Sequence, residues 1–247
     1  MSTLTVYPAP GVTVDGIIKR DVTTETWATI RDNADGNEVD YSGAIYASAR
    51  IAASSTTNQW SVITRSILLF DTSALTGDAT ISATVLSLYG FGKNDGLSAT
   101  PTIDIYTSTP ASNTVLANGD YDQIGTTSQT GSPVTYAGWA AGVYNAFTFD
   151  ATGIGNVSKT SISKFGVRNA NYDVANTPPS WSSGAGFFFQ YYSSNESGTS
   201  KDPKLVVTYS TVVGPANLKT YNTNVSANIK TINTNPIANV KTLNTNA

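Results

Sequence analysis

Residues 65–73 of the chain read Arg65-Ser66-Ile67-Leu68-Leu69-Phe70-Asp71-Thr72-Ser73. Side chains of a β-strand point alternately to its two faces, so Ile67 and Leu69 share one face of this run. Leu68 and Phe70 take the other face, toward the core or a packed neighbour. Asp71-Thr72-Ser73 then ends the strand, because these side chains bond their own backbone.

Similar strand-like runs recur along the chain with turn residues between them. Most of them alternate or are rich in β-branched and aromatic residues, as half-buried strands require. They fall at 4–7, 12–18, 27–31, 44–52, 61–70, 82–89, 102–106, 144–149, 164–168, 186–192 and 204–209. Gly90-Phe91-Gly92-Lys93 is typical of a turn between strands, and 156–163 is the best candidate for a helix. We therefore predict an all-β, jelly-roll-like antiparallel β-sandwich over residues 1–210.

The composition excludes several classes of function. The 247 residues include no Cys and no His, which rules out thiol chemistry, Ser-His-Asp catalysis and His-bound metals. A net charge of -3 argues against nucleic-acid binding. The sequence contains no run of 18 apolar residues, so it predicts no membrane span. Its N-terminus lacks the features of a secretory signal. Only 13% of residues are charged, which suits a virion or extracellular surface.

A repeat begins after the last predicted strand. Ala216–Asn224 returns as Ala227–Asn235 and Ala238–Asn246, which gives three copies of 11 residues in the tail 211–247. The only charges of the tail are three lysines, so the total of -3 minus the tail's +3 leaves -6 for the body. We expect short β-strand segments that pack against other copies or a partner; a tail that orders nowhere is the alternative. The expected assembly residues are Leu218, Tyr221, Ile229, Ile232, Val240 and Leu243.

Two stretches carry a family likeness, namely Arg65–Leu75 with Ala79–Tyr89, and Asp202–Tyr209. They resemble the disaggregatase-related β-sandwich modules, a carbohydrate-binding-module-like group. Other segments resemble more closely the corresponding segments of uncharacterised surface proteins from phages and uncultured bacteria. These segments are Val14-Asp15-Gly16, Trp27–Arg31 and the Ala-Asn-Ile-Lys-Thr-Ile-Asn tail repeats. The resemblance implies a jelly roll with a binding or structural role at a surface.

Two groups of acidic residues are candidates for a structural Ca²⁺ site, because calcium prefers several oxygen ligands on flexible loops. The first group is the loop that contains Asp32, Asp35, Glu38 and Asp40, for which a solvated acidic turn is the alternative. The second group is Asp173, Glu196 and Asp202 in the later loops.

Aromatic residues in loops are candidates for a glycan-binding platform, because sugars stack their C–H faces on flat rings. Trp139 and Trp181 lie in loop-like stretches, although a tryptophan is also a common core residue. Trp27 lies within a predicted strand and is assigned to the core.

The sequence favours a non-enzymatic surface protein, such as a phage virion decoration, fibre or tail-associated subunit that binds host glycans. Its partners would be other subunits, through the tail, and cell-surface polysaccharide. The alternatives are a bacterial extracellular carbohydrate-binding or adhesin module and a polysaccharide-degrading enzyme. A glycosidase needs only two carboxylates, so composition does not exclude it, but no recognisable catalytic motif is present.

Overall fold

A computed structural model describes residues 1–211 of the chain. The tail from residue 212 onward, with its expected strand segments and assembly residues, lies outside the described residues. Residues 1–211 form an antiparallel β-sandwich, which confirms the predicted fold class. Within this part of the chain, no helix is long and apolar enough to cross a membrane.

Thirteen strands and two short α-helices make up the described body. The helices are α1, Trp27–Asp32, and α2, Ala151–Gly155. The strands are β1 Ser2–Val6, β2 Asp15–Glu25, β3 Glu38–Asp40, β4 Tyr46–Ala53, β5 Trp60–Asp71, β6 Thr80–Asp95, β7 Thr102–Ser108, β8 Ile124–Ser128, β9 Val134–Thr135, β10 Tyr144–Thr148, β11 Ile162–Asn169, β12 Gly186–Tyr192 and β13 Lys204–Ser210.

Two long strands connect the layers of the sandwich. The hydrogen-bonded order is β1-β13-β6-β12-β4-β5-β11-β7-β8, with β10 added to β6 and β2 added to β5. Residues 80–87 of β6 pair with β13, whereas residues 90–95 pair with β12. In the same way, residues 60–64 of β5 pair with β4, whereas residues 66–71 pair with β11. Each of these strands therefore changes partners midway along its length.

Strand β5 supplies both hydrophobic cores, as its alternating pattern predicts. Leu68 and Phe70 belong to core 1, which lies between β6, β10 and β13 on one side and β5, β7 and β11 on the other. Ile67 and Leu69 belong to core 2, on the opposite face of β5. Core 1 includes Leu86, Leu88, Ile103, Ile105, Phe147, Phe165, Val167, Leu205 and Val207. Core 2 includes Ile18, Ile30, Ile51, Trp60, Ile63, Tyr121 and Phe187.

Two expectations about where helices form are wrong. Residues 27–31 form helix α1 rather than a strand, because the hydroxyl of Thr26 accepts a hydrogen bond from the Thr29 amide at 3.2 Å and caps the helix. The expected helix at 156–163 is absent from the described chain. The helix there is α2, which Asp150 caps and which ends before Asn156.

A buried ion cluster ties β5 to β11 and to the turn that follows β11. The carboxylate of Asp173, which is 1% exposed, accepts paired hydrogen bonds of 2.7 and 2.9 Å from Arg65 and from Arg168. Arg65 also donates to the backbone carbonyl groups of Tyr121 and Arg31. Burial acts to raise the pKa of Asp173, but the two guanidinium groups outweigh it and hold this pKa well below its usual range.

The assignment of Asp173 as a calcium ligand is therefore wrong. Both of its oxygens are occupied by arginine donors, and the two positive charges beside it would repel a cation.

We expect Asp173→Asn to lower the free energy of unfolding by about 3–5 kcal/mol at pH 7, because it leaves two buried arginines without a counter-charge. The matched control is Asp122→Asn, which removes the same charge from an exposed position. Denaturant unfolding of the three proteins checks this. A loss below about 1 kcal/mol would contradict the assigned role.

The stability lost in Asp173→Asn should depend on pH in a defined direction. A carboxylate with a lowered pKa stabilises the fold above its ordinary value of 3.8 and loses that effect as pH falls toward its folded-state pKa. The difference in the free energy of unfolding between the wild type and Asp173→Asn should therefore become smaller below about pH 4.

Candidate functional site

A groove of about 490 Å³ runs across one face of the sheet. Directly paired residues of antiparallel strands share a face, so the strand registers define the row of side chains that line it. Lys19 pairs with Thr64, Thr64 with Arg50, Arg50 with Phe188, and Phe188 with Asn94. This row crosses β2, β5, β4, β12 and β6. A second row places Ser48 opposite Gln190 and Gln190 opposite Gly92.

An aromatic cluster lies beside one end of this groove, and of its rings Tyr46 is part of the groove lining. Tyr46 lies opposite Tyr192 in the β4–β12 register, and their ring centroids are 5.1 Å apart. Phe91 stacks on Tyr46 with a centroid distance of 3.8 Å and remains 41% exposed. The cluster continues across the same surface to Tyr89, whose ring is 5.8 Å from that of Tyr192.

A β-bulge in β6 places Phe91 in this cluster. The pairing of β12 with β6 shifts between Gln190 and Tyr191, which skips Phe91 and leaves it as the extra residue. Gly90 is required there, because a Cβ atom would lie 2.2 Å from the Ala140 carbonyl oxygen. The prediction of a turn at Gly90–Lys93 is therefore wrong. The two glycines mark a bulge inside a long strand.

The groove offers hydrogen-bond donors and positive charge. Within residues 1–211, the side chains of Arg50 and Gln190 form no hydrogen bond or ion pair. Lys19 pairs with Glu38 at 2.9 Å and with Asp21 at 3.4 Å. The described lining of the groove contains neither Asp nor Glu. These features suit a ligand with many hydroxyl groups and an apolar face.

The structure bears differently on the two tryptophans that were predicted to bind a sugar. Trp139 is 1% exposed and packs in core 1 against Phe189, with centroids 5.5 Å apart, so its proposed sugar-binding role is wrong. Trp181 is partly exposed, packs against core 2 and donates from Nε1 to the Gln59 carbonyl oxygen at 3.1 Å. It does not line the groove, and its role as a platform stays a prediction. Trp27, which was assigned to the core as part of a strand, lies in helix α1, is only partly buried and packs against core 2.

The acidic loop at 32–40 does not bring its carboxylates together. Asp32 pairs with Arg31, and Glu38 pairs with Lys19. Asp40 accepts hydrogen bonds from the Gly43 and Ala44 amides at 3.2 and 3.0 Å. Asp35 is exposed, close to the 118–120 turn. Across residues 1–211, no three acidic side chains lie close enough to hold a metal ion by themselves. The arrangement is that of a solvated, hydrogen-bonded turn.

Glu196 and Asp202, by contrast, lie at one cavity of about 520 Å³. Burial raises the pKa of Asp202 to about 6, and the negative charges of Asp15 and Glu196 contribute to this shift. Asp15, which was not predicted as a site residue, is buried and accepts hydrogen bonds from the amide and hydroxyl of Ser194. Glu196 and Asp202 are called the acidic pocket below, and Asp15 lines a neighbouring cavity.

Comparison with known proteins gives no further assignment. Neither a protein-family model nor a curated protein matches the chain. The resemblance to disaggregatase-related modules therefore stays a prediction.

We expect Trp139→Ala to lower the free energy of unfolding by about 3–5 kcal/mol, since it opens a cavity in core 1. Phe91→Ala should cost only about 1 kcal/mol, because the ring is partly exposed and loses mainly its contact with Tyr46. Denaturant unfolding of both variants checks the comparison. Equal losses would contradict the placement of these two rings.

Proposed function

We propose that residues 1–211 form a non-enzymatic glycan-binding module of a virion or extracellular surface protein. The observation that carries this proposal is the groove, where stacked rings adjoin side chains with free hydrogen-bonding groups. A sugar ring can rest its C–H face on the exposed side of Phe91. Its hydroxyls can then bond Gln190, Arg50, Ser48 and Asn94, as in sites that combine an apolar wall with a few polar groups.

The groove supports binding rather than hydrolysis. Glycoside hydrolysis uses a pair of carboxylates on either side of the scissile bond. The described lining of the groove supplies cations, amides and hydroxyls, and no carboxylate. A bound polysaccharide would therefore be held and released intact, and incubation with it should produce no new reducing ends.

A panel of cell-surface polysaccharides and oligosaccharides, titrated by calorimetry, tests the proposal. We expect Phe91→Ala to weaken binding about fivefold, which corresponds to the loss of a stacking contact of about 1 kcal/mol. Phe91→Tyr keeps the ring and should retain the affinity. Arg50→Gln should weaken binding through lost donors while leaving the rings in place.

The matched control is Val115→Ala, which trims a side chain that is 45% exposed and does not line the groove. It should bind like the wild type. Binding that survives both Phe91→Ala and Arg50→Gln would show that the groove is not the site. Binding that is lost in Trp181→Ala would instead assign the loop aromatic.

We further propose that the repeat tail joins subunits to one another or to other components of a particle. Each 11-residue copy offers about two large apolar side chains, too few to bury a core alone, so the three copies need a partner surface. A multi-copy array would strengthen weak glycan binding through avidity. A bacterial extracellular adhesin or carbohydrate-binding module could use the same groove as a single copy.

Light scattering distinguishes these two settings. We expect the full-length chain to form a discrete oligomer and a chain that ends at Thr211 to be a monomer, because truncation removes the repeats and keeps β13 intact. A full-length variant with Leu218, Ile229 and Val240 changed to Asn keeps the length of the tail and should also be monomeric. A monomeric wild type would contradict the assembly role and favour the single-copy module.

A further inference from the structure

Strand β1 is a sheet edge whose outer side has no partner in the described chain. The strand order begins at β1, which pairs only with β13. Within residues 1–211, the backbone of Ser2–Val6 forms no hydrogen bond outside this pairing. An antiparallel strand turns alternate N–H and C=O groups toward each of its two sides. One set of these groups in β1 therefore points away from the sheet and can pair with a further strand.

Other sheet edges of the described body are covered or interrupted. Strand β10 pairs with β6 on the side away from β13, and its free side is flanked by residues 130–134. The pairing of β8 with β7, at the far end of the strand order, contains a register shift. Bulges and covering loops are two ways in which proteins prevent an edge from pairing. By contrast, β1 has a continuous register with β13 and contains neither proline nor a charged residue.

The apolar side chains of β1 are incompletely covered. Leu4 and Val6 pack against core 1 but are only partly buried. Their partners in β13, Val207 and Leu205, are fully buried. Core 1 is therefore less well covered at β1, beyond which no strand lies within residues 1–211. A strand added there would gain free energy by burying apolar surface against Leu4 and Val6.

The outer face of the sheet next to this edge carries no charge. The side chains of Thr3 and Thr5 are exposed on that face. Strand register continues their two rows across β13, β6 and β10 through uncharged residues, namely Thr208 and Ala83 in one row and Val206, Val85 and Thr148 in the other. Two bodies that each carry a charge of -6 can therefore approach at this edge without bringing like charges together.

We propose that β1 is an interface between two copies of this chain, whose β1 strands pair antiparallel about a two-fold axis at Leu4. A two-fold axis makes identical strands antiparallel, and the same residues supply both sides of the contact. Leu4 of one copy then opposes Leu4 of the other, and Thr3 opposes Thr5. The two leucines extend the apolar layer of both cores, and the threonines form cross-strand pairs on the outer face.

This pairing is weak by itself, because it involves only five residues of each copy. It forms where copies are already held close together, as on the particle surface proposed above, and in that respect rests on the proposed function. A chain that ends at Thr211 therefore stays monomeric at the concentrations used for light scattering. The interface would orient neighbouring bodies that the tail brings together.

Disulfide cross-linking tests the proposed register, because the chain contains no cysteine of its own. Full-length Thr3→Cys and Thr5→Cys proteins are mixed at high concentration and oxidised. Directly opposed residues of antiparallel strands have Cα atoms about 4.5–5.5 Å apart, which is within the range of a disulfide. We expect this mixture to form a covalent dimer about tenfold faster than a mixture of Thr5→Cys with Ala83→Cys. Ala83 is exposed on the same face but lies on β6, with β13 between it and the edge.

A charged substitution at the axis provides the second test. Leu4→Lys, added to both cysteine variants, places two like charges directly opposite each other and should lower the cross-linking rate to that of the Ala83→Cys mixture. Ala83→Lys, added to the same two cysteine variants, is the matched control and should leave the rate unchanged. Thermal unfolding of the four proteins shows that each remains folded.

Three results would overturn the proposal. One is cross-linking of Thr3→Cys with Thr5→Cys that is no faster than with Ala83→Cys, and another is cross-linking that Leu4→Lys does not slow. The third is cross-linking that occurs only after removal of residues 212–247, which would show that the tail occupies the edge. Light scattering keeps the two proposals apart. A monomeric full-length chain that still cross-links contradicts only the role of the tail, whereas a discrete oligomer that does not cross-link contradicts only this interface.

Discussion

The structure depends most on the carboxylate of Asp173, which is buried between Arg65 and Arg168. Arg65 lies in the middle of β5, the strand whose two faces supply both cores, and Arg168 lies near the end of β11. A charged side chain in so apolar a strand is tolerated only when its charge and donors are satisfied. Asp173 meets this requirement, and the remaining donors of Arg65 reach the backbone near α1 and Tyr121. The ion cluster thereby fixes the elements that cover core 2.

The groove follows from the same strand arrangement. Because β5 exchanges β4 for β11 midway along its length, β4, β12 and the second half of β6 present a separate face with its own row of side chains. The bulge at Gly90 then adds Phe91 to the aromatic end of that row. The proposed binding groups thus lie on paired strands, whose registers fix their spacing. The acidic pocket lies elsewhere, at the start of β13, and involves a different set of loops.

The sequence predicted the fold class because the alternating pattern of β12 and the continuous apolar run in β5 are both typical of buried strands. It placed the final strand to within one residue. It did not predict the site, because the groove joins residues from five strands that are distant in sequence, and only the registers bring them together. Trp139 was misassigned because loop-like neighbours say nothing about where a side chain packs. Gly90-Phe91-Gly92 was the one local signal of the aromatic end, since paired glycines in a strand also indicate a bulge. Asp173 was misread because its arginine partners are 5 and 108 residues away.

We propose that this sheet face, rather than the loops, is where the protein meets its ligand. Heteronuclear NMR of the protein titrated with its strongest-binding glycan tests that claim most directly. Shift changes centred on Tyr46, Phe91, Arg50 and Gln190, with small changes at Trp181, are the predicted result. Changes centred on the loop around Trp181, with the groove residues unaffected, would contradict the account.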